Sequence, residues 1–277
     1  MNFYEDLKAV IFDLDGTLYQ DKQFYRRYLM HLVKDTAWEP EYDKLLCFME
    51  DVLSGRAEQK MGHFYRHSPY SHFRTVSEVL DFTTVSNQGD PFEEKFYDNG
   101  YFFIGDAWAL TGIIRLRLGL KGSTDAFLNT RREMLMPEYI FETSNSLVNA
   151  IEGLTGAGIS TYLFTNTQSE GAVKFVDHLG LGGKLSAIEY GIGKPYGLAQ
   201  RLPDILKRAG ASPEQVLSIG DHSFNDLSPV RAAGGHTVLV SPYVIHDNVN
   251  WDMRLSSLDE LDDCIRNIIK NKEGILK

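Results

Sequence analysis

The stretch KAVIFDLDGTLY, residues 8–19, decides the fold class because it joins a short apolar strand to two acidic residues. The run AVIF, residues 9–12, is continuous and rich in strand formers, which is typical of a parallel strand covered on both faces. Asp13 and Asp15 follow at once, where that strand should end. Their side chains are therefore expected in the crevice at the carboxyl end of a parallel sheet, where α/β proteins bind ligands.

Segments of the same kind recur downstream and alternate with helical patterns. Further apolar runs predict strands at STYLF (160–164), LSAIEY (185–190), QVLSI (215–219) and HTVLV (236–240). Apolar residues at three- and four-residue spacing predict helices over 144–156, 170–180 and 198–209. This alternation predicts an α/β fold, with a doubly wound, Rossmann-like parallel sheet and helices on both faces.

Residues 21–137 interrupt this alternation. They contain helical stripes such as Phe24, Tyr28 and Leu32, a predicted helix over 123–135 and a possible hairpin over 95–105. An insertion of this length is too large for a loop. It predicts a mainly α-helical cap domain over 21–137, above the carboxyl ends of the strands, while 1–20 and 138–277 form a discontinuous α/β core. The apolar stretch 108–120 is interpreted as cap core or as a dimer surface.

Composition and charge restrict the classes of partner. The chain has 277 residues and a net charge of −10, which repels nucleic acid and acidic membrane surfaces at long range. No apolar run approaches the roughly 20 residues of a membrane helix. The only cysteines, Cys47 and Cys264, lie far apart, and no secretory signal pattern opens the chain. We expect a reduced, cytoplasmic protein that is a monomer or a homodimer.

Four acidic residues in two pairs indicate a cation site. Asp13 and Asp15 repel each other unless a cation or a shared proton relieves them, and Mg²⁺ prefers carboxylate oxygens. A second pair, Asp221 and Asp226, follows the strand at 215–219. Convergence of oxygens from different elements is what Mg²⁺ requires. Taken singly, however, DLDG also fits an Asx-type turn and Asp226 fits a helix N-cap.

Polar residues after two other strands suit a phosphate group. Thr165 and Asn166 end the strand at 160–164 and offer a hydroxyl and backbone amides to phosphate oxygens. Lys194, within GIGKPYG, can neutralise a phosphoryl group or an acidic nucleophile. Each of these signals is weak alone, since Thr and Asn are common caps and loop lysines are usually solvated.

The order of the four motifs carries more information than any one of them. DLDGT, TN, GKP and GDxxxxD at successive strand ends resemble the haloacid dehalogenase superfamily, over residues 8–20 and about 140–242. The insertion between DLDGT and TN resembles the subgroup with a helical cap after the first motif. Too few residues separate Asn166 from Lys194 for the alternative cap position. The insertion is nevertheless larger than the usual four-helix cap of that subgroup.

The resemblance implies a phosphatase that acts on a small phosphorylated metabolite. Asp13 would be the nucleophile that forms an aspartyl-phosphate, and Asp15 the general acid and then base. A phosphomutase would share the same core residues, and a non-catalytic metabolite-binding protein would share the fold. The complete motif set argues against the binding protein, because binding alone does not require both a nucleophile and an acid.

The resemblance also implies the ligands of the cofactor and of the phosphoryl group. Mg²⁺ would be held by Asp13, the backbone carbonyl of Asp15 and Asp221, with Asp226 as a direct or water-mediated ligand. The phosphoryl oxygens would be bound by Thr165, Asn166 and Lys194.

Substrate selection is expected to involve residues of the insertion and its entrance. The candidates are Tyr19, Arg26, His63, Arg66 and His67, the last three in the cluster GHFYRHSPYSHFR at 62–74. His63 and His67 have the spacing of a zinc pair on a helix, but no carboxylate or cysteine accompanies them. The cluster is therefore interpreted either as a substrate contact or as a polar domain interface.

Overall fold

The computed structural model describes residues 4–66, 73–83, 100–121 and 123–275. The chain divides into two compact units, here called the core unit (Met1–Asp21, Phe141–Pro242 and Asn250–Lys277) and the insert unit (Lys22–Ile140 and Tyr243–Val249). From the sequence, residues 243–249 were expected in the core. The structure groups this segment with the insert unit, where the His246 amide donates to the Met61 carbonyl at 2.8 Å.

The core unit is built on a six-stranded parallel sheet. Its strands are β1 (Ala9–Phe12), β4 (Ser160–Phe164), β5 (Ala187–Glu189), β6 (Val216–Gly220), β7 (His236–Val240) and β8 (Met253–Leu255), in the order β5-β4-β1-β6-β7-β8. Ala9 of β1 pairs with Ser160 of β4 on one side and with Val216 of β6 on the other. The predicted α/β fold with a parallel sheet is confirmed. Strand β8 was not predicted, because three residues are too few to show a period.

Helices make up much of both units. Along the chain the helices are α1 (Phe24–Val33), α2 (Tyr42–Leu53), α3 (Val76–Leu80), α4 (Ala107–Arg117), α5 (Ser123–Met134), α6 (Asn145–Gly156), α7 (Ser169–His178), α8 (Tyr196–Ala209), α9 (Ser228–Ala232) and α10 (Leu258–Ile275). Helix α6 begins as predicted, since the Ser144 hydroxyl accepts the Leu147 amide at 3.1 Å. Among the described residues, none of these helices is long and apolar enough to cross a membrane.

The hydrophobic core fixes how helices cover the sheet. Alternate residues of β1, Ala9 and Ile11, pack in one cluster with Leu198, Leu202 and Ile205 of α8. Helices α6 and α10 pack against each other, and α6 also contacts β4. The sheet is therefore held rigidly, and the loops that leave its carboxyl edge start from fixed positions.

The insert unit is mainly helical and also contains a two-stranded antiparallel sheet of β2 (His63–Arg66) and β3 (Tyr101–Ile104). Of the possible hairpin over 95–105, residues 101–104 pair with 63–66, and 95–99 lie outside the described residues. Within the apolar stretch 108–120, residues such as Ile113 and Ile114 of α4 are fully buried. That stretch therefore contributes to the interior of the insert unit.

Candidate active site

Three polar residues lie directly after three neighbouring strands. Asp13 follows β1, Thr165 follows β4 and Asp221 follows β6. Since β1 lies between β4 and β6 and all three run parallel, their carboxyl ends meet at one edge of the sheet. Backbone hydrogen bonds hold the edge in place, with the Asp13 amide donating to the Ile219 carbonyl at 2.9 Å. The topology thus brings together residues more than 200 positions apart.

The acidic residues predicted to hold a cation converge at this edge. Asp13, Asp221 and Asp226 are all buried, and each offers one carboxylate oxygen within 4.8 Å of the other two. Lys194 lies among them, with its Nζ 2.5 Å from Asp13 Oδ1 and 2.6 Å from Asp226 Oδ1. When all three carboxyls are ionised, the ammonium leaves two negative charges, which a divalent cation would neutralise. The hard oxygen donors fit Mg²⁺.

The protonation of this cluster reflects that charge balance. The pKa of the Asp13 carboxyl is raised to about 8, because burial and the nearby carboxylates of Asp226 and Asp15 together outweigh the opposing effect of Lys194. For Lys194, burial acts to lower the pKa, but the carboxylates of Asp13 and Asp226 outweigh it and raise the pKa above its ordinary value. Without a metal ion, the cluster therefore retains a proton near neutral pH.

Two glycines make room for these carboxylates. Gly16 has φ +84°, and a Cβ at this position would overlap the Asp221 carboxylate. A Cβ at Gly220 would likewise overlap the side chain of Asp226. The π-helical turn Ser223–Leu227 returns Asp226 towards the strand end, where its Oδ2 accepts the His222 amide at 3.0 Å. The site therefore requires residues without a side chain at both positions. This requirement was not predicted from the sequence for Gly220.

Lys194 is fixed through its own backbone by a predicted phosphate-binding residue. The Asn166 side chain accepts the Lys194 amide at 2.6 Å and donates to the Lys194 carbonyl at 3.2 Å. The side chain of Asn166 therefore positions the lysine loop. A phosphate contact by Asn166 would have to come from its backbone amide. Thr165 is almost fully buried, and its Oγ1 accepts the Thr167 amide at 3.0 Å, which leaves the hydroxyl proton to be donated.

Asp15 is held at both carboxylate oxygens. The Tyr19 hydroxyl donates to Oδ1 at 2.5 Å, and the Thr167 hydroxyl donates to Oδ2 at 2.8 Å. Tyr19 is only 1% exposed, so the structure gives it a place beside Asp15 instead of the substrate contact expected from the sequence. Thr167 was missed by sequence reasoning. Its position directly after Thr165 and Asn166 was the one available signal.

The remaining specificity candidates lie in the insert unit. Arg26 pairs with Glu50 at 2.5 Å, and the Arg66 guanidinium lies 5.8 Å from the centre of the Tyr101 ring. His63 lies on strand β2 and not on a helix, and its Nε2 lies 2.8 Å from the His246 carbonyl oxygen. His67 lies outside the described residues.

Comparison with known proteins adds independent information. The family model for haloacid dehalogenase-like hydrolases matches residues 7–234. A glyceraldehyde 3-phosphate phosphatase of Methanocaldococcus jannaschii is 23% identical over 271 residues, which cover 96% of this chain and 100% of that protein. Among solved structures, a HAD phosphatase from Thermococcus onnurineus has a TM-score of 0.50 and 15% identity, with 94% of this chain and 98% of that chain covered. This structural likeness concerns the fold.

Proposed function

We propose that this chain, which belongs to the haloacid dehalogenase-like hydrolase family, is a Mg²⁺-dependent phosphatase that acts on a small phosphorylated metabolite through an aspartyl-phosphate. The family match confirms the superfamily predicted from the four motifs. The family and the name of the archaeal relative both support a phosphatase. The observation that carries the mechanism is the buried cluster in which Lys194 bridges Asp13 and Asp226 beside Asp221.

Asp13 is the proposed nucleophile. Lys194 lies 2.5 Å from its Oδ1 and favours the ionised carboxylate that attacks phosphorus. As the bond from Asp13 to phosphorus forms, the bond from phosphorus to the leaving oxygen breaks. Lys194 and the Thr165 hydroxyl then stabilise the charge that spreads over the phosphoryl oxygens. The product of this half-reaction is a phosphorylated Asp13 and a free alcohol.

Asp15 transfers a proton in both halves of the reaction, first as general acid and then as general base. In its protonated form it donates to the leaving oxygen, so that an alcohol departs in place of an alkoxide. It then accepts a proton from water, whose oxygen attacks phosphorus. The bond between Asp13 and phosphorus breaks, and inorganic phosphate leaves. Asp13 returns as a carboxylate and Asp15 returns in its protonated form.

The proposed cofactor site consists of Asp13, Asp221 and Asp226. When bound there, Mg²⁺ would supply positive charge that offsets the repulsion between an anionic nucleophile and an anionic phosphate. The fit rests on two properties of the site, namely the two excess negative charges and the exclusively hard oxygen donors. Lys194 and Mg²⁺ would then share the task of neutralising the buried carboxylates.

The direct test is phosphate release from a panel of phosphorylated metabolites with Mg²⁺, beginning with glyceraldehyde 3-phosphate. We expect the wild type to release phosphate, with loss on addition of EDTA and in the Asp13→Asn variant. Asp204→Asn, at an exposed position of α8, is the matched control and should retain activity. Isomerised sugar phosphate without net phosphate release would indicate a phosphomutase instead. Phosphate release that persists in Asp13→Asn would contradict an aspartyl-phosphate intermediate.

A further inference from the structure

We propose that Tyr19 and Thr167 are positioning residues that orient Asp15 for proton transfer, an inference that rests on the proposed function. Each of the two hydroxyls donates to a different oxygen of the same carboxylate, at 2.5 Å and 2.8 Å. They reach Asp15 from different parts of the core unit, namely the loop after β1 and the loop after β4. Two donors from separate elements fix the plane of the carboxyl group.

Tyr19 is itself held rigidly. Its ring centroid lies 5.1 Å from that of Phe141 in an edge-to-face arrangement and 5.4 Å from that of Phe175 on α7. Phe141 and Phe175 stack on each other at 5.8 Å. Because the ring is buried in this aromatic group, the hydroxyl has little freedom to leave Asp15. The packing of the ring and the hydrogen bond of the hydroxyl are separable by mutation.

Thr167 is oriented by a neighbouring site residue. Its backbone amide donates to Thr165 Oγ1 at 3.0 Å, and its side-chain hydroxyl donates to Asp15 Oδ2. The loop after β4 therefore serves two of the proposed catalytic groups at once. Thr165 faces the phosphoryl group, while Thr167 secures the residue that transfers the proton. This arrangement gives a role to the hydroxyl of Thr167, which directly follows Thr165 and Asn166.

The two hydrogen bonds to Asp15 should matter for some substrates and not for others. Transfer of the phosphoryl group to Asp13 needs a general acid when the leaving group is an alcohol of high pKa, but hardly at all when it is p-nitrophenolate. The value of kcat/KM reports the steps up to that transfer. A misoriented Asp15 should therefore lower kcat/KM for an alkyl phosphate and leave the value for p-nitrophenyl phosphate almost unchanged. A general loss of structure would lower both.

The experiment compares Tyr19→Phe and Thr167→Val with the wild type on both substrates, in the full-length protein with Mg²⁺. Tyr19→Phe removes the hydroxyl and keeps the ring packing, and Thr167→Val keeps the side-chain shape. We expect a loss of about tenfold or more in kcat/KM for glyceraldehyde 3-phosphate, or for the alkyl phosphate that the wild type turns over best, and less than about twofold for p-nitrophenyl phosphate. Thr167→Ser should restore activity towards the alkyl phosphate.

Tyr4→Phe makes the same chemical change elsewhere in the core unit and provides the control, since the Tyr4 hydroxyl lies 3.9 Å from Met253 Sδ and from Cys264 Sγ. It should leave both substrates unaffected. Equal losses for the two substrates in Tyr19→Phe and Thr167→Val, or no loss for either, would overturn the positioning role. Absence of any turnover that depends on Asp13 would instead overturn the proposed function, so the two failures are distinguishable.

Discussion

Removal of the Lys194 ammonium should destabilise the core unit strongly unless a divalent cation is present. The Lys194 side chain is only 3% exposed and lies between Asp13 and Asp226. In Lys194→Met the Asp13 and Asp226 carboxylates lose the ammonium that bridges them, while the side-chain volume is largely kept. Removal of one partner of a buried ion pair costs about 3–5 kcal/mol. For a domain of this size that corresponds to a fall in Tm of about 6–20 °C.

The pH dependence of this loss has a defined sign. The pKa of Asp13 is already raised to about 8, so the metal-free folded protein holds a proton that the unfolded chain releases above its ordinary pKa near 3.8. This contribution to stability is complete below about pH 4 and is lost as the pH rises towards 8. Without Lys194 the pKa of Asp13 should rise further. The variant should therefore lose more stability at pH 8 than at pH 5.5.

Magnesium should reverse much of the effect. A ligand at 100 times its Kd adds about 2.7 kcal/mol to the stability of the folded state. Because the variant lacks the ammonium that competes with Mg²⁺ for the carboxylates, Mg²⁺ should raise the Tm of Lys194→Met more than that of the wild type. Thermal unfolding by circular dichroism at pH 5.5 and 8, with EDTA or with Mg²⁺, measures each of these terms.

A surface ion pair of the core unit gives the control. Lys184 pairs with Glu152 at 2.5 Å, with side chains 26% and 58% exposed, so Lys184→Met should cost no more than about 1 kcal/mol and show no Mg²⁺ dependence. Equal stability of Lys194→Met and Lys184→Met at pH 8 in EDTA would contradict this prediction. Equal stabilisation of both variants by Mg²⁺ would contradict it as well.

Two further predictions concern the backbone and the thiols. Gly16→Ala should abolish the rise in Tm caused by Mg²⁺, because the new Cβ would overlap Asp221, whereas Gly158→Ala has a similar positive φ in open space and should keep that rise; an unchanged Mg²⁺ response in Gly16→Ala would contradict this. In a thiol titration of the native protein at pH 8, exposed Cys47 should react rapidly, while Cys264 should react only after denaturation, since burial raises its pKa and blocks access. Loss of the rapid phase in Cys47→Ser confirms the assignment, and two rapid thiols in the wild type would disprove it.

Those properties that depend on local periodicity and on residue type were predictable from the amino-acid sequence. Continuous apolar runs separated by amphipathic segments are sufficient to predict a parallel α/β sheet, because a strand buried on both faces leaves no polar alternation. The position of the acidic pairs after two of these runs indicated a cation site at strand ends. The insertion was visible because its helical stripes break the alternation of strands and helices.

Only the tertiary structure decided which of these segments are neighbours and which side chains meet. The order β5-β4-β1-β6-β7-β8 puts β1 between β4 and β6, and this order follows from long-range crossovers that no local pattern encodes. That order brings Lys194 between Asp13 and Asp226, and it brings the Thr167 hydroxyl to Oδ2 of Asp15. Short elements such as β8 and the segment 243–249 were missed for the same physical reason, since their structure comes from partners distant in sequence rather than from their own residues.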